Sequence, residues 1–345
     1  MAPLRAIASL ALLLALASVV RADAPAALAR QEFVAPHMGT LFRIVLYAPD
    51  AEAAAARTAV QAAFARVAAL NRIFSDYDNS SELSQLCRQP VGTPVPISAD
   101  LFAVLSQSQL LSAQTHGAFD VTLGPVIRLW RESRRTRHLP APEILARARQ
   151  ASGHAHLRLD PATQTATLLR PEMQFDLGGI AKGYAADAAL AVLTDAGFPR
   201  AMVNASGDLA LGDPPPDEPG WTITLAPFGA SPTAPLTLVA ARVGISTSGD
   251  AGQFAEIGGV RYSHIVDPAT GLGLTAPLAV TVIAPRASLS DGLATACSVL
   301  SAEAVNTLAT TSPEPIRVIV HRRAEDGSIQ RMFSGQNPAG LLTPL

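Results

Sequence analysis

The periodicity of apolar residues changes repeatedly along this chain, between the 3.6-residue repeat of a helix and the two-residue repeat of a strand. An Ala-rich amphipathic helix is predicted over residues 51–73, where Val60, Phe64, Val67 and Leu70 fall on one face. Further helices are predicted over residues 99–115, with Ser98 as the cap of this helix, and over residues 142–150, 182–196 and 289–300. Strands or hairpins are predicted over residues 42–47, 157–168, 201–210, 221–226, 236–241, 261–266, 278–284, 316–321 and 329–333. Because these segments interleave without a regular strand–helix–strand order, the sequence predicts a mixed α/β (α+β) fold with largely antiparallel sheets.

The first residues have the pattern of a secretory signal. Arg5 provides a positive start, and an apolar stretch over residues 7–20 follows that is short for a membrane span. The small residues Ala22 and Ala24 suit a cleavage region, and a cut after Ala22 is favoured because Pro25 would hinder the later one. We therefore expect a signal peptide over residues 1–24, a mature domain over residues 25–345, and export to the periplasm. An uncleaved signal would instead leave the protein associated with the inner membrane.

The charge balance and the cysteine content bear on two questions, whether the protein binds nucleic acid and whether it contains a disulfide. The chain has 26 Lys and Arg against 28 Asp and Glu, and this balance carries no electrostatic footprint for nucleic acid. Cys87 and Cys297 are interpreted as small buried hydrophobic residues, with a disulfide as the alternative. A local basic run beside Trp130 is interpreted as a solvated helix end or loop, with an anionic ligand or partner as the alternative. Its members are Arg128, Arg131, Arg134, Arg135 and Arg137.

Only one of the 26 basic residues is a lysine, and this Lys182 follows a glycine-containing segment. Its retention in a chain that otherwise uses Arg suggests a position that needs a compact ammonium, although a chance survivor on a solvated helix is the alternative. Gly178, Gly179 and Gly183 fit neither a nucleoside-triphosphate loop nor a dinucleotide fingerprint. What remains is a strand-to-helix turn with exposed amides, one cation and Asp176, which suits a phosphate ester or pyrophosphate at a helix N-terminus.

Two further segments contain candidate site residues. Asp291 and Thr295 are four residues apart, so on a helix they share a face and offer hard oxygen ligands to Mg²⁺. The alternative is that Asp291 lies in a first helical turn, with Ser288 or Ser290 as the cap. His264 is predicted at the end of a strand, as a general base or ligand contact, and the alternative is a histidine that satisfies turn carbonyls.

Taken in order, these segments resemble the ApbE family, the FAD:protein FMN transferases. Each motif is weak alone, but so many in one order are specific, and they span roughly residues 38–300. They are Met38-Gly39-Thr40, Phe74-Ser75-Asp76-Tyr77, Ser81-Glu82-Leu83, Gly117-Ala118-Phe119-Asp120, residues 176–182, residues 204–208, residues 246–250, residues 264–271 and residues 291–295. The resemblance implies an ApbE-like fold, with largely antiparallel sheets flanked by helices.

The resemblance also implies an enzyme that consumes FAD as a substrate and does not use it as a redox group. It would transfer the FMN half to a Thr hydroxyl of a target protein as a phosphoester and release AMP. The acceptor would be an exported or membrane redox subunit with an exposed Thr. Because phosphoryl transfer requires mainly positioning and charge neutralisation, one metal ion with Lys182 nearby is a sensible minimum.

The family pattern assigns roles to residues by position. Mg²⁺ would be held by the backbone oxygen of Gly179 with Asp291 and Thr295, while His264 would be the base and Lys182 would act on the phosphates. The residues that would contact FAD are Met38, Tyr77, Ala118, Phe119, Asp120, Asp176, Lys182 and Ile265.

Two alternatives to the transferase stay open on these residues. One is an FAD pyrophosphatase that gives FMN and AMP, with water in place of the Thr, and the other is a periplasmic flavin-binding protein without turnover. Two departures from the family pattern can loosen the flavin pocket, because Ala251 stands where an aromatic residue is common and residues 204–208 replace a double glycine. Neither departure removes a proposed catalytic group.

Overall fold

The computed structural model describes residues 27–228, 235–249, 253–324 and 328–343. The expected signal peptide and Ala251 lie outside these residues. The strands are β1 Leu28–His37, β2 Thr40–Pro49, β3 Val95–Pro96, β4 Leu157–Asp160, β5 Thr165–Leu168, β6 Ala201–Ala205, β7 Asp208–Leu211, β8 Trp221–Leu225, β9 Leu236–Ala240, β10 Gly244–Gly249, β11 Phe254–Ile257, β12 Val260–Ser263, β13 Val266–Asp267, β14 Leu272–Gly273, β15 Leu278–Ala284, β16 Arg317–Arg323 and β17 Ile329–Gly335. The helices are α1 Ala53–Phe74, α2 Glu82–Leu86, α3 Ala99–Gln114, α4 Gly124–Thr136, α5 Pro142–Gln150, α6 Ala181–Asp195, α7 Ala287–Val299 and α8 Ala302–Thr311.

An eight-stranded sheet in the order β1-β2-β6-β7-β10-β15-β16-β17 is the largest layer in the described part of the chain. Every neighbouring pair in it is antiparallel. The strands β3, β5 and β4 form a second sheet, and β8–β9, β11–β12 and β13–β14 are two-stranded pairs. The predicted mixed fold with largely antiparallel sheets is therefore confirmed.

Helices α1, α6 and α7 pack on one face of the large sheet. Strand residues such as Ile44, Val282 and Val318 are fully buried in this layer. A side chain at Gly183 would collide with the backbone carbonyl of Ala287, so the glycine is what lets α6 approach α7 closely. This close approach matters because both helices carry candidate site residues.

The opposite face of the large sheet is covered by a second hydrophobic cluster. Val45, Ile245 and Ile319 of the sheet pack there against residues of the β8–β9 hairpin. A third cluster joins α4 and α5 to β11 and β13, and its Trp130 donates a hydrogen bond from Nε1 to the carbonyl of Ser263 at 3.0 Å. Within the described ranges, the length and hydropathy of the helices do not reach what a bilayer span needs.

Most predicted elements are present, with ends that differ by a few residues. The Ser98 hydroxyl accepts a hydrogen bond from the Leu101 amide at 3.2 Å and caps α3 as predicted. Residues 201–210, predicted as one β segment, instead contain the hairpin β6–β7, because Ser206 and Gly207 both take positive φ, 58° and 105°, in a two-residue turn. The expectation of a solvated helix end or loop for the basic run is only partly right, since most of the run lies within α4.

Both cysteines are free. Cys297 is buried on α7, and burial raises the pKa of its thiol to about 12. Burial also raises the pKa of the Cys87 thiol. These surroundings match small hydrophobic residues, as the sequence indicated.

Candidate active site

The candidate site lies where the first turn of α6 meets α7 and the start of β7. Lys182, in that first turn, places Nζ 2.5 Å from Oδ2 of Asp208 and 3.7 Å from Oδ2 of Asp291. Both carboxylates are buried, whereas the Lys182 side chain is 30% exposed. One ammonium group therefore lies between two buried carboxylates. When all three side chains are ionised, the cluster of Lys182, Asp208 and Asp291 has a net charge of one negative unit. The interpretation of Lys182 as a residue on a solvated helix is wrong.

The three charges change one another's proton affinity. Burial opposes the charge on Lys182, but the attraction of Asp208 and Asp291 outweighs it and raises the lysine pKa above its ordinary value. Burial, followed by the like charge of Asp208, raises the pKa of Asp291 to about 7, against the opposing effects of Lys182 and the Gly183 amide. A further cation at this point would relieve the repulsion between the two carboxylates.

Asp291 lies inside α7 and not in its first turn. The helix begins at Ala287, and the amides of Ala287 and Ser288 each donate at 2.8 Å to the carboxylate of Asp187, which belongs to α6. Oδ2 of Asp291 accepts instead from the Gly183 amide at 3.0 Å. The alternative that Asp291 is a helix-start residue capped by serine is therefore wrong, because a carboxylate from another helix supplies the cap.

Thr295 lies one turn further along α7 and faces the segment that leads into α6. A Cβ on Gly179 would come within 2.9 Å of the Thr295 hydroxyl, so the two residues are in direct contact. The same hydroxyl lies 3.4 Å from Oγ of Ser248 on β10. The structure thus brings Gly179 to the helix that carries Asp291 and Thr295, more than a hundred residues further along the sequence.

This donor set fits a hard divalent cation. It combines a buried carboxylate, a hydroxyl and a backbone oxygen, all oxygen ligands of the kind that Mg²⁺ prefers. The described residues contain no group of three or more His, Cys, Asp or Glu side chains placed to hold a metal. The candidate set is not of that kind, since only one of its members is an acidic side chain. Its role as a metal site stays a prediction.

A second cluster brings two predicted FAD contacts, Tyr77 and Asp176, to Arg131 of α4. The guanidinium donates to Asp76 and, at 2.5 Å, to Oδ2 of Asp176. It also lies over the Tyr77 ring, 4.4 Å from the ring centre. Burial raises the pKa of Asp176 even though Arg131 opposes the shift. Arg131 is therefore a partly buried member of this cluster, contrary to its interpretation as part of a solvated run.

Phe119 and Asp120 lie in the loop before α4, and their side chains have different surroundings. Phe119 is buried, with its ring 3.3 Å from the position of a Cβ on Gly179, so it forms a wall beside the donor set, and Ala118 precedes it in the loop. The carboxylate of Asp120 accepts hydrogen bonds from the amide and hydroxyl of Thr122 and from the His154 amide. These bonds hold the loop together, and contact of Asp120 with FAD stays a prediction.

Three predicted residues lie on other turns. Met38, with φ of 48°, is at the β1–β2 turn and lines a cavity of about 590 Å³ beside Arg72 at the end of α1. His264 lies between β12 and β13, and its Nδ1 is 3.2 Å from the carbonyl oxygen of Gln253. The next residue, Ile265, is nearly buried. Gln253 directly precedes β11 and is not part of a turn, so this contact does not test the alternative of a histidine that satisfies turn carbonyls. The catalytic role of His264 stays a prediction.

Two carboxylates of this region, the buried Asp208 and the half-buried Asp187, were not proposed as site residues from the sequence. Asp208 begins a strand directly after the Ser206-Gly207 turn, and Asp187 lies in a helical run of alanines. Their partners are distant in sequence, by 26 residues for the pair of Asp208 with Lys182 and by 100 residues for that of Asp187 with Ala287. An acidic residue in an otherwise apolar segment was the available signal, because a charge there is costly unless it is paired.

Comparison with known proteins agrees with this geometry. The ApbE family model matches residues 38–320. The FAD:protein FMN transferases of Klebsiella pneumoniae and Treponema pallidum are each 32% identical, over 277 and 281 residues, which is 77% of this chain and of each relative. The flavin transferase ApbE of Vibrio cholerae superposes with a TM-score of 0.78 at 28% identity, covering 89% of this chain and 97% of that one. The flavinyl transferase ApbE of Pseudomonas stutzeri gives the same TM-score and identity, covering 89% and 95%. Since the family match covers most of the chain and the fold agrees, this protein belongs to the ApbE family.

Proposed function

We propose that this protein transfers the FMN half of FAD to a threonine hydroxyl of an acceptor protein, as a phosphoester, and releases AMP. The observation that carries the proposal is the convergence of Lys182, Asp291 and Thr295 beside Gly179. The names of its relatives, FAD:protein FMN transferases, support the same activity. The acceptor is proposed to be an exported or membrane redox subunit with an exposed Thr.

The residues of the site have complementary tasks in this proposal. Gly179, Asp291 and Thr295 would hold Mg²⁺, which supplies charge neutralisation at the pyrophosphate oxygens. Lys182, anchored by Asp208, would present its ammonium to the same phosphates from the first turn of α6. Tyr77 offers an exposed flat ring on which a ring of FAD can stack.

The proposed reaction exchanges the phosphoanhydride bond of the FAD pyrophosphate for a phosphoester bond to the acceptor. The acceptor Thr oxygen forms a bond to the phosphorus of the FMN half, the bond from that phosphorus to the bridging oxygen breaks, and AMP leaves with the electron pair. The Thr proton passes to His264, the proposed base. Nδ1 of His264 lies 3.2 Å from the Gln253 carbonyl oxygen, a contact that helps to orient the imidazole ring.

The direct test is mass spectrometry of a Thr-containing acceptor domain after incubation with the mature protein, FAD and Mg²⁺. We expect a mass gain that corresponds to FMN on the Thr, with one AMP released for each adduct. Free FMN and AMP without an adduct would identify a pyrophosphatase. Bound FAD without any AMP would identify a flavin-binding protein. Either result overturns the transferase proposal.

The metal ligands are tested with Asp291→Asn and Thr295→Val. Asp291→Asn keeps an acceptor for the Gly183 amide but removes the charge, so we expect turnover to fall about 100-fold or more. Thr295→Val keeps the shape and loses the oxygen, so more Mg²⁺ should be needed for half-maximal turnover. The matched control is Ser298→Ala on the same helix, whose hydroxyl bonds only the local carbonyl of Ala294 among the described contacts. Parent-like Mg²⁺ dependence of Thr295→Val would remove Thr295 from the metal site.

We also propose that the protein is exported to the periplasm with removal of its signal. The proposal is supported by the short apolar stretch over residues 7–20 and by the small residues Ala22 and Ala24. N-terminal sequencing of native protein from a periplasmic fraction should start near Asp23, or a few residues later. Intact Met1 in a membrane fraction would show an anchor and contradict the cleavage.

A further inference from the structure

Arg131 joins three segments of the chain that are far apart in sequence. It extends from α4 and bonds Asp76, which follows α1, and Asp176, which begins the segment leading to Lys182. The partners are 55 and 45 residues away from it. A guanidinium holds its N–H groups in a fixed plane, so Arg131 can bond both carboxylates and still lay its flat face on a ring, a combination that a lysine ammonium cannot reproduce.

The same guanidinium covers one face of the Tyr77 ring. Its Cζ lies 4.4 Å from the ring centre, a distance at which a cation is attracted to the aromatic face. The Tyr77 side chain is nevertheless 77% exposed, so the face away from Arg131 is open to solvent. An exposed tyrosine without such a support would move among several rotamers, and ordering it on binding would cost entropy.

Asp176 is fixed from two sides. Oδ2 accepts from Arg131 at 2.5 Å, while Oδ1 accepts from the Gly178 amide at 2.7 Å. The side chain is only 11% exposed, and the backbone continues directly into Gly179 and Lys182. Arg131 therefore holds the ring of Tyr77 and the start of the phosphate-facing segment in a defined relative position.

We propose that Arg131 is a positioning residue of the FAD site, which holds the Tyr77 ring open on one face for a planar ring of FAD and fixes Asp176 beside it. The inference rests on the proposed function, since it takes Tyr77 and Asp176 as FAD contacts. Arg131 acts through these two residues by pre-organising them, so it contributes to binding of FAD and not to the bond exchange.

The test is FAD affinity of Arg131→Lys, measured by calorimetry, together with KM for FAD, kcat and thermal melts. Lysine keeps the charge but cannot bridge both carboxylates and cover the ring. We expect the Kd and KM for FAD to rise about tenfold, with kcat at saturating FAD within about threefold of the parent. The matched control is Arg135→Lys on the same helix, whose exposed guanidinium pairs with Glu132, and it should leave FAD affinity unchanged.

A second pair of variants separates positioning from general stability. Tyr77→Leu alters an exposed side chain, so the fold should survive it, and FAD affinity should fall. If Arg131 acts through Tyr77, adding Arg131→Lys to Tyr77→Leu should weaken FAD binding by less than the two single effects combined. Asp76→Asn, which weakens one anchor of Arg131, replaces Arg131→Lys in this cycle if the latter does not fold.

The outcomes distinguish this inference from the proposed function. If the parent binds FAD and transfers FMN, and Arg131→Lys binds FAD as tightly as the parent does, the positioning role alone is overturned. Additive effects of Arg131 and Tyr77 variants, or a fall in kcat and melting temperature without a change in KM, also overturn it. A parent that does not bind FAD overturns the proposed function itself.

Discussion

Lys182 is held so closely by its neighbours that the size of its cationic group matters. Nζ is 2.5 Å from Asp208 and 3.7 Å from Asp291, and both carboxylates are buried. The Gly183 amide donates at 3.0 Å to Oδ2 of Asp291, the same oxygen that Lys182 approaches. A guanidinium is planar and wider than an ammonium, so it cannot take the same position without moving these groups. This crowding gives a physical reason for the single lysine in an arginine-rich chain.

We therefore predict that Lys182→Arg impairs FAD binding or turnover although the charge is kept. The loss should be about tenfold or more, because the cation would be displaced from the phosphates. FAD turnover and calorimetric FAD affinity are the measurements, with Lys182→Gln as the comparison that removes the charge. A Lys182→Arg protein that matches the parent in both would show that charge alone is needed.

At the scale of elements, α7 depends on α6 for its start. The carboxylate of Asp187 accepts both the Ala287 and the Ser288 amides at 2.8 Å, so one helix caps the other. Burial raises the pKa of Asp187, although these two amides oppose the shift. Because α7 carries both side chains of the proposed metal site, its orientation against α6 sets the distance between the ligands.

Removal of this cap should destabilise the protein. We predict that Asp187→Ala lowers the free energy of unfolding by about 1–2 kcal/mol, since two N–H groups at the helix start lose their acceptor. Asp187→Asn, which keeps one acceptor oxygen, should cost less. Urea unfolding measures both, and Asp195→Ala at the exposed end of α6 is the control with the same chemical change. Equal stability of Asp187→Ala and Asp195→Ala would show that α7 does not rely on the cap.

For the molecule as a whole, the large sheet contains a row of three polar side chains on the face opposite the helices, of which Thr281 and His321 are buried and Thr247 is half-buried. Oγ1 of Thr247 lies 2.8 Å from Oγ1 of Thr281, which lies 3.3 Å from Nε2 of His321, so the row crosses β10, β15 and β16. His321 is 0% exposed. Burial, aided by the positive charge of Arg331, lowers the pKa of His321 to about 4. The folded protein therefore keeps this imidazole neutral at pH values where the unfolded chain would protonate it.

This difference predicts a loss of stability in acid. Since the folded pKa is below the unfolded value of 6.5, the stability is complete above that pH and falls as the pH drops from about 6.5 to about 4. Between pH 7 and pH 5 the protonation of His321 in the unfolded chain should lower the free energy of unfolding by about 2 kcal/mol, because one pKa unit corresponds to about 1.4 kcal/mol. Urea unfolding of the parent and of His321→Gln at both pH values measures it. If the variant loses as much stability as the parent over this range, the titration of His321 is not the cause.

Local patterns were sufficient for the elements whose signals lie within one stretch of sequence. The apolar repeat of α1, the Ser98 cap of α3 and the apolar strand β15 all matched their predictions within a few residues. Strand β1 was not predicted, because it lies at the edge of the sheet and alternates partly exposed residues with no run of buried apolar ones. The apolar periodicity of these residues is weak, and the backbone hydrogen bonds to β2 are what hold them as a strand.

The fold class, the family resemblance and the candidate ligands Asp291 and Thr295 could be predicted from the amino-acid sequence, because apolar periodicity, motif order and four-residue spacing are properties of the linear chain. The groups that surround these ligands are known only from the folded chain. The pairing of Lys182 with Asp208, the capping of α7 by Asp187 and the support of Tyr77 by Arg131 join side chains from separate elements. Such contacts arise from packing of helices on a sheet, and buried charges require partners wherever packing brings them together.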